Sequence, residues 1–149
     1  MLFRSGRLLR LAVNDANLPL MGRTAQGPML LRLLPDEEVV GAACGSPDSS
    51  VLLVSRAGRL KRLRLDGLRL CQRGDLGQIG LRLPDRSDRL VDLCGDGSAL
   101  IGVRLAAGEA RSLRLELAAL PSQDATGEGQ ELPLAAGEAV RELVPLISD

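Results

Sequence analysis

The sequence predicts an all-β fold made of about three blade-like units, each with four short strands. Three observations support this prediction. The 149-residue chain contains an internal repeat of about 50 residues. Apolar and polar residues alternate with a period of two in several short runs, and glycines leave no window for a helix of ordinary length. A repeat of this length with four short strands is typical of propeller-like folds.

The first two repeats open with a shared strand pattern. The segment Gly6–Leu11 (GRLLRL) returns as Gly58–Leu63 (GRLKRL). We call the spacing from Gly6 to Gly58 one repeat length. Within the second copy, Arg62-Leu63-Arg64-Leu65 alternates as a half-buried strand does.

A second shared segment follows each of these strands. In it an arginine precedes a glycine by four residues, and a further arginine follows that glycine by five; the two copies are residues 23–33 and 73–83. Each copy then passes through a Pro-Asp turn and ends in a short apolar run, Val39–Ala42 or Leu90–Leu93. Short apolar runs bounded by turn residues predict further strands.

The third repeat is weaker. It has alternating apolar residues at Leu113 and Leu115, and Gly129 stands where the earlier copies have Gly27 and Gly77. The stretch 136–144 is the most helix-compatible part of the chain, and we predict a strand there. The expected units, residues 2–46, 52–95 and 99–146, together form one repeat domain, residues 1–149.

Composition excludes several kinds of active site. The chain has no His, Tyr or Trp, and Phe3 is its one aromatic residue. A histidine base, a histidine metal ligand and a tyrosine nucleophile are therefore absent, as is an aromatic platform for single-stranded bases. We expect no catalytic residue, no metal site and no cofactor in this chain.

The cysteines indicate a reducing compartment. Cys44, Cys71 and Cys94 are an odd number without CxxC spacing, so neither a disulfide framework nor a zinc site is indicated. Each lies in an apolar stretch, and we expect three buried free thiols. No apolar run is long enough for a signal peptide or a membrane span. We therefore expect a cytoplasmic protein without membrane contact.

Charge is unevenly distributed along a chain whose 19 basic and 19 acidic residues cancel. Residues 1–94 carry a net charge of +5, and residues 95–149 carry −5. Residues 52–83 alone carry eight basic and two acidic side chains, which indicates a surface for a polyanion. The alternative is a solvated face without a partner. The preference for Arg over Lys suits phosphate recognition and equally suits a GC-rich genome.

Three segments together carry the pattern of a known family. Leu52–Arg62 has an apolar run followed by Ser, Gly and a basic pair, and Gly22–Pro28 (GRTAQGP) leads into an apolar run and an acidic Val-Val strand. Gln72–Gly77 (QRGDLG) is similar to a heptapeptide of Gln, basic, Arg, Gly, Gly, basic, Gly, with one residue fewer and with Asp75 and Leu76 in place of Gly and a basic residue. The chain thereby resembles the C-terminal domain of the A subunit of bacterial type IIA topoisomerases, DNA gyrase and topoisomerase IV.

The resemblance implies a β-pinwheel, a propeller-like ring of four-stranded blades around which DNA is bent. The implied function is sequence-independent binding and bending of duplex DNA in the control of DNA topology. DNA cleavage by these ATP-dependent enzymes needs a tyrosine, so catalysis would lie in polypeptide outside these residues. The implied partners are duplex DNA, the remainder of the topoisomerase A subunit and its ATPase subunit.

Arginines beside glycines are expected to contact DNA, because a glycine lets the phosphate backbone approach and adds N–H donors. The glycines can equally be plain turn residues, and Arg32 and Arg82 are expected within strands, where they can simply point outward. The expected DNA-binding residues are Arg7, Arg10, Arg23, Arg59, Lys61, Arg62, Gln72, Arg73, Gly74 and Gly77.

A second class of function fits the same sequence, a propeller-like protein-interaction module without a nucleic-acid role. Three blades are fewer than the roughly four to eight of a closed propeller, so we also expect exposed sheet edges and self-association. Met1–Arg4 begins within the expected first strand, which favours a piece of a longer subunit.

Overall fold

Short β-strands joined by turns dominate the computed structural model, which describes residues 2–95, 100–106, 110–116 and 119–145. Within these ranges no residue lies in an α-helix, so the predicted all-β fold is confirmed; nor do they contain a helix that could cross a bilayer. The strands are β1 (Leu2–Phe3), β2 (Arg7–Leu8), β3 (Val39–Gly41), β4 (Ser50–Ser55), β5 (Arg59–Arg64), β6 (Gln78–Ile79), β7 (Leu90–Gly95), β8 (Leu100–Ala106), β9 (Ala110–Glu116), β10 (Ser122–Gln123), β11 (Gln130–Glu131) and β12 (Val140–Pro145).

The strands form three sheets in the described part of the chain. The first has the order β3-β1-β2-β6, and the second has the order β10-β5-β4-β7, with β11 also paired to β5. The third has the order β12-β8-β9, so the described sheets have four, five and three strands, where the sequence predicted four in each. Each sheet is thus built around one hairpin, β1-β2, β4-β5 or β8-β9, which follows from the strand-turn-strand pattern of the repeats.

The first two sheets each receive strands from the repeat that follows. Strand β6 pairs antiparallel with β2, so that Arg7 faces Ile79. Strand β11 pairs antiparallel with β5, so that Arg59 faces Glu131. Both partners in the second contact lie one repeat length beyond those in the first. The repeat in the sequence is therefore also a repeat of contacts between a strand and the next repeat. We call residues 69–83 and 120–134, which make these contacts, the docked segments.

The core lies on both faces of β4. Leu52 and Val54 belong to an apolar cluster that includes Val140 of β12, whereas Val51 and Leu53 belong to a cluster that includes Leu8 of β2. All six residues of β4 are buried. Because both faces are covered, this strand is a continuous apolar run instead of an alternating one.

Two glycines let the docked segments approach the strands they cover. Gly77 has φ +74°, and a Cβ there would lie 2.1 Å from the carbonyl oxygen of Leu8. Gly129 has φ +77°, and a Cβ there would lie 2.6 Å from the carbonyl oxygen of Leu60. Both positions therefore require glycine for backbone conformation and for space. Gly27 differs, since a Cβ at this position would have no atom within 4 Å.

We expect Gly77→Ala to lower the free energy of unfolding by at least about 2 kcal/mol, because alanine is strained at positive φ and its Cβ would overlap a backbone oxygen. Gly27→Ala is the matched control and should change that free energy by no more than about 0.5 kcal/mol. Urea unfolding of the two variants and the parent at low protein concentration measures both. Equal unfolding midpoints for Gly77→Ala and the parent would contradict the close approach.

The structure corrects the expected burial of one cysteine and shortens the strand predicted near the end of the chain. Cys71 is buried and Cys94 half-buried, but Cys44 is exposed, because it follows β3 in an irregular segment outside the sheets. The strand predicted within 136–144 is present as β12, which starts at Val140 after a turn closed by the bond from Glu138 N–H to Ala135 O. The ends of the third expected unit, residues 99 and 146, lie outside the described residues.

Candidate nucleic-acid interface

The expected DNA-binding residues fall into three groups by exposure. Arg7 and Lys61 are buried, at 6% and 1% exposed. The half-buried residues are Arg10, Arg59, Arg62 and Gly77, and the exposed ones are Arg23, Gln72, Arg73 and Gly74. The structure therefore divides a set that the sequence treats as one surface.

Arg7 is held in a buried ion pair. Its Nε donates to Glu37 Oε1 at 3.0 Å, its Nη2 is paired with the other carboxylate oxygen, and Nη2 also donates to the carbonyl of Arg32 at 3.1 Å. The hydrogen bond from Arg7 lowers the pKa of Glu37 to about 2, so the carboxylate stays ionised at neutral pH. Arg7 consequently offers no guanidinium to a phosphate, contrary to the expectation from the sequence, and instead fastens β2 to the end of the segment before β3.

Lys61 is also a structural residue. Its Nζ donates to the carbonyl oxygens of Gly80 at 2.8 Å, Gly127 at 2.6 Å and Ala125 at 3.2 Å. Burial lowers the pKa of this amine. The three acceptors belong to both docked segments, so Lys61 joins the segment of the second repeat to that of the third. Lys61 consequently offers no free ammonium to a phosphate in this fold, contrary to the expectation from the sequence, because the two docked segments cover it.

Arg10 and Arg62 occupy equivalent positions and make equivalent contacts. Arg10 Nη1 donates to the carbonyl of Leu68 at 2.9 Å, and Arg62 Nη1 lies 3.5 Å from the carbonyl of Leu120. Both donor and acceptor of the second contact lie one repeat length beyond those of the first. Each arginine therefore holds the start of a docked segment, a role that no short sequence motif reveals.

Four of the exposed arginines that have no carboxylate partner among the described residues lie at repeated positions of the first two repeats. Arg23 and Arg73 lie at the turns of the two equivalent segments, and Arg32 and Arg82 each lie five residues after the glycine of the segment. We call this set the arginine ridge: Arg23, Arg32, Arg73 and Arg82. Arg32 and Arg82 lie outside the strands, so the expectation that they are strand residues is wrong, and they join the candidate site.

The two halves of the arginine ridge lie on neighbouring segments. The N–H of Gly74 donates to the carbonyl of Leu30 at 3.0 Å, which joins the 20–33 segment to the 69–83 segment. Gly74 has φ +78° and open space around it, and Gln72 beside it is exposed. A phosphate can therefore reach the exposed side chains of Gln72 and Arg73 at this turn, although the Gly74 N–H is already bonded.

Asp75, the acidic residue in the turn, is neutralised locally. Arg69 Nη1 donates to Asp75 Oδ2 at 3.0 Å, and the N–H of Leu76 donates to Oδ1 at 2.7 Å. The hydrogen bond from Arg69 lowers the pKa of this carboxyl group. Asp75 thus shapes the turn while its charge is balanced, which leaves the neighbouring Arg73 as the free charge.

An acidic border lies beside the ridge. Arg59 Nη2 pairs with Glu131 Oε1 at 3.0 Å, and Arg59 Nη1 donates to the carbonyl of Glu128 at 3.1 Å. Arg59, Arg82 and Glu128 line one shallow hollow of about 540 Å³. The acidic third repeat therefore contacts the basic second repeat and pairs with the guanidinium of Arg59.

Known proteins resemble the chain in sequence. The family model described as DNA gyrase C-terminal domain, beta-propeller, matches residues 4–46 and 49–93. The A subunit of DNA topoisomerase 4 from Synechocystis sp. is 36% identical over 89 residues, which are 60% of this chain and 10% of that protein. The A subunit of DNA gyrase from Helicobacter pylori is 29% identical over 121 residues, which are 80% of this chain and 15% of that protein. The chain thus spans only a small part of the length of these relatives.

Solved structures resemble it in fold. The C-terminal domain of DNA topoisomerase IV aligns with a TM-score of 0.79 and 16% identity, over 96% of this chain and 44% of that one. The DNA gyrase A C-terminal domain aligns with a TM-score of 0.76 and 18% identity, over 99% of this chain and 48% of that one. The three sheets therefore have a propeller-like, pinwheel arrangement, as the sequence predicted.

Proposed function

The chain belongs to the DNA gyrase C-terminal domain family of β-propellers, and we propose that its function is to bind DNA. It binds duplex DNA through the phosphate backbone and bends it, as an accessory domain of a topoisomerase A subunit. The curated relatives are A subunits of DNA topoisomerase 4 and DNA gyrase. The partners of the domain are then the remainder of that subunit and its ATPase subunit, in the cytoplasm. Since the chain has no tyrosine, DNA cleavage lies outside these residues.

The arginine ridge is the observation that carries this proposal. Its four guanidinium groups are exposed and lack carboxylate partners among the described residues, so binding a phosphate breaks no ion pair. Contacts to phosphates position a duplex without reading its bases, which suits a domain that handles any DNA sequence. Because the ridge crosses two successive segments, a duplex that follows both halves makes contacts along an arc and is bent.

The acidic border supplies a test of the proposal. Glu131 pairs with Arg59 beside the ridge, whereas Glu138 pairs with Arg111 at 2.6 Å on the third sheet. Replacing Glu131 by Gln releases Arg59, and one added phosphate contact strengthens binding by up to about eightfold at 0.1 M salt. Glu138→Gln removes the same charge from a pair within the third repeat, whose arginine is not part of the candidate site, and is the matched control.

Fluorescence anisotropy with a labelled duplex measures the affinities of the parent, Glu131→Gln and Glu138→Gln. We expect the parent to bind, Glu131→Gln to bind several-fold tighter, and Glu138→Gln to match the parent. A parent that does not bind duplex DNA at low salt would contradict the proposed function. Equal tightening in both variants would show a general charge effect in place of competition for Arg59.

A further inference from the structure

The contact between a strand and a docked segment occurs twice, with one geometry. In each case a parallel bridge precedes an antiparallel pair, and the second contact lies one repeat length beyond the first. The paired residues are Arg10–Leu70 and Leu8–Gln78 in the first contact, and Arg62–Ser122 and Leu60–Gln130 in the second. This regularity defines what a third contact would look like.

Strand β9 is where that third contact belongs. The residues that lie one repeat length after β5 are Arg111–Glu116, which is strand β9 without its first residue. One edge of β9 pairs with β8, and no described strand pairs with the other edge. The side chains of β9 are exposed or half-buried, whereas Leu8 and Leu60 on the covered strands are 3% and 0% exposed. An uncovered edge of this kind is a template for strand pairing.

The segment that corresponds to the docked segments in the first repeat pairs with no strand in the described part of the chain, although the carbonyl of Arg32 accepts from Arg7. This free segment is residues 20–33, aligned with 70–83. Leu20 is 98% exposed and Met29 is 76% exposed, against 56% for Leu70 and 46% for Ile79 at the corresponding docked positions. Its Gly27 stands in open space, where Gly77 meets a backbone oxygen.

The free segment already contains the turn of a docked one. The same turn, closed by an N–H bonded to the carbonyl three residues earlier, occurs in all three segments: Ala25 to Gly22, Asp75 to Gln72 and Gly127 to Asp124. Pro28 stands at the position of Gln78 and can accept but not donate a hydrogen bond, which an edge strand tolerates. Docking therefore keeps this turn, and Gly27 must take up the positive φ that Gly77 and Gly129 have, which glycine does without strain.

We propose that the free segment of a second copy of this chain covers the open edge of β9, in a head-to-tail contact that repeats the two contacts inside the chain. Each copy offers both surfaces, so two copies close on each other through two identical contacts. Three sheets from each copy give six blades, within the roughly four to eight of closed propellers.

Sedimentation velocity of the 149-residue chain, without DNA, tests this contact separately from the proposed function. We expect a dimer of twice the 15.8 kDa chain mass at high micromolar concentration. Gly27→Ala should remain monomeric, because its Cβ meets the β9 backbone only in the docked state. Gly22 is another glycine of the free segment that lies in open space, so Gly22→Ala is the control and should dimerise as the parent does. The proposal is overturned if the parent stays monomeric, as it would if another blade of a longer polypeptide covered this edge. It is also overturned if the parent forms open assemblies larger than a dimer.

A cross-link locates the contact independently of these variants. By the spacing of the docked pairs, Met29 of one copy faces Arg111 of the other, as Ile79 faces Arg7. In a background with exposed Cys44 replaced by Ser, Met29→Cys with Arg111→Cys should form a covalent dimer on air oxidation, since directly opposed strand residues suit a disulfide. The control pair Val13→Cys with Arg111→Cys should stay monomeric on a non-reducing gel. Equal cross-linking in both pairs, or none in the first, overturns the proposal.

Discussion

Replacing the four residues of the arginine ridge together by alanine lowers the affinity for duplex DNA by on the order of 10³-fold at about 0.1 M salt. Each neutralised phosphate contributes about 0.9 to the salt exponent, and hence about eightfold to the affinity at that salt concentration. The side chains of Arg23, Arg32, Arg73 and Arg82 are exposed and unpaired within the described residues, so the variant should keep the circular dichroism spectrum of the parent. Anisotropy titrations with the same duplex measure the loss.

A second quadruple variant controls for net charge. Arg56, Arg86, Arg114 and Arg141 are also exposed and have no carboxylate partner among the described residues, but they lie outside the ridge, so replacing them by alanine removes the same four charges. We expect this variant to bind DNA within a few-fold of the parent. If both quadruple variants lose affinity equally, the ridge has no special role and only total charge matters.

Lys61→Met produces the largest expected loss of stability. The substitution keeps the apolar stem and removes the ammonium, which leaves three carbonyl oxygens without their donor between β5 and the two docked segments. An unsatisfied buried acceptor costs roughly 1–3 kcal/mol, so we expect the free energy of unfolding to fall by about 3 kcal/mol or more. Urea unfolding followed by circular dichroism measures this loss.

Arg64→Met is the matched control on the same strand. Arg64 is exposed, and within the described ranges its ion pair is with Asp66 at the surface. Surface pairs contribute little to stability. Its unfolding midpoint should stay close to that of the parent. If Arg64→Met and Lys61→Met lost stability to the same extent, burial of the Lys61 ammonium would not be the cause.

The sequence predicts the strands and their repetition because both depend on local pattern. The shared segment at Gly6 and Gly58 predicts hairpins β1-β2 and β4-β5, which the structure contains. Exchange of strands between repeats is not a local property, since β6 could complete its own sheet as well as the preceding one. It becomes visible only when Leu8 and Gln78 are seen to pair.

Which basic residues are buried and which are exposed is harder to predict from the sequence, for a physical reason. Alternation places Lys61 and Leu63 on one face of β5, and an isolated sheet would turn such a basic face towards water. In the folded chain this face is covered by the docked segments, and the carbonyls that satisfy Lys61 lie 19 to 66 residues away in sequence. The carboxylate that pairs with Arg7 is likewise 30 residues away. Such distant acceptors leave no signal beside the basic residue.

The salt dependence of DNA binding by the unaltered chain shows whether the arginine ridge binds the phosphate backbone. Anisotropy titrations over a range of salt, with two duplexes of equal length and unrelated sequence, give the slope of log K against log salt concentration. Four phosphate contacts from the arginine ridge predict a slope of about −3.6 for both duplexes, with similar affinities for the two sequences. A slope near zero, or affinities that differ by more than about tenfold between the two sequences, would contradict the claim that exposed arginines bind the phosphate backbone.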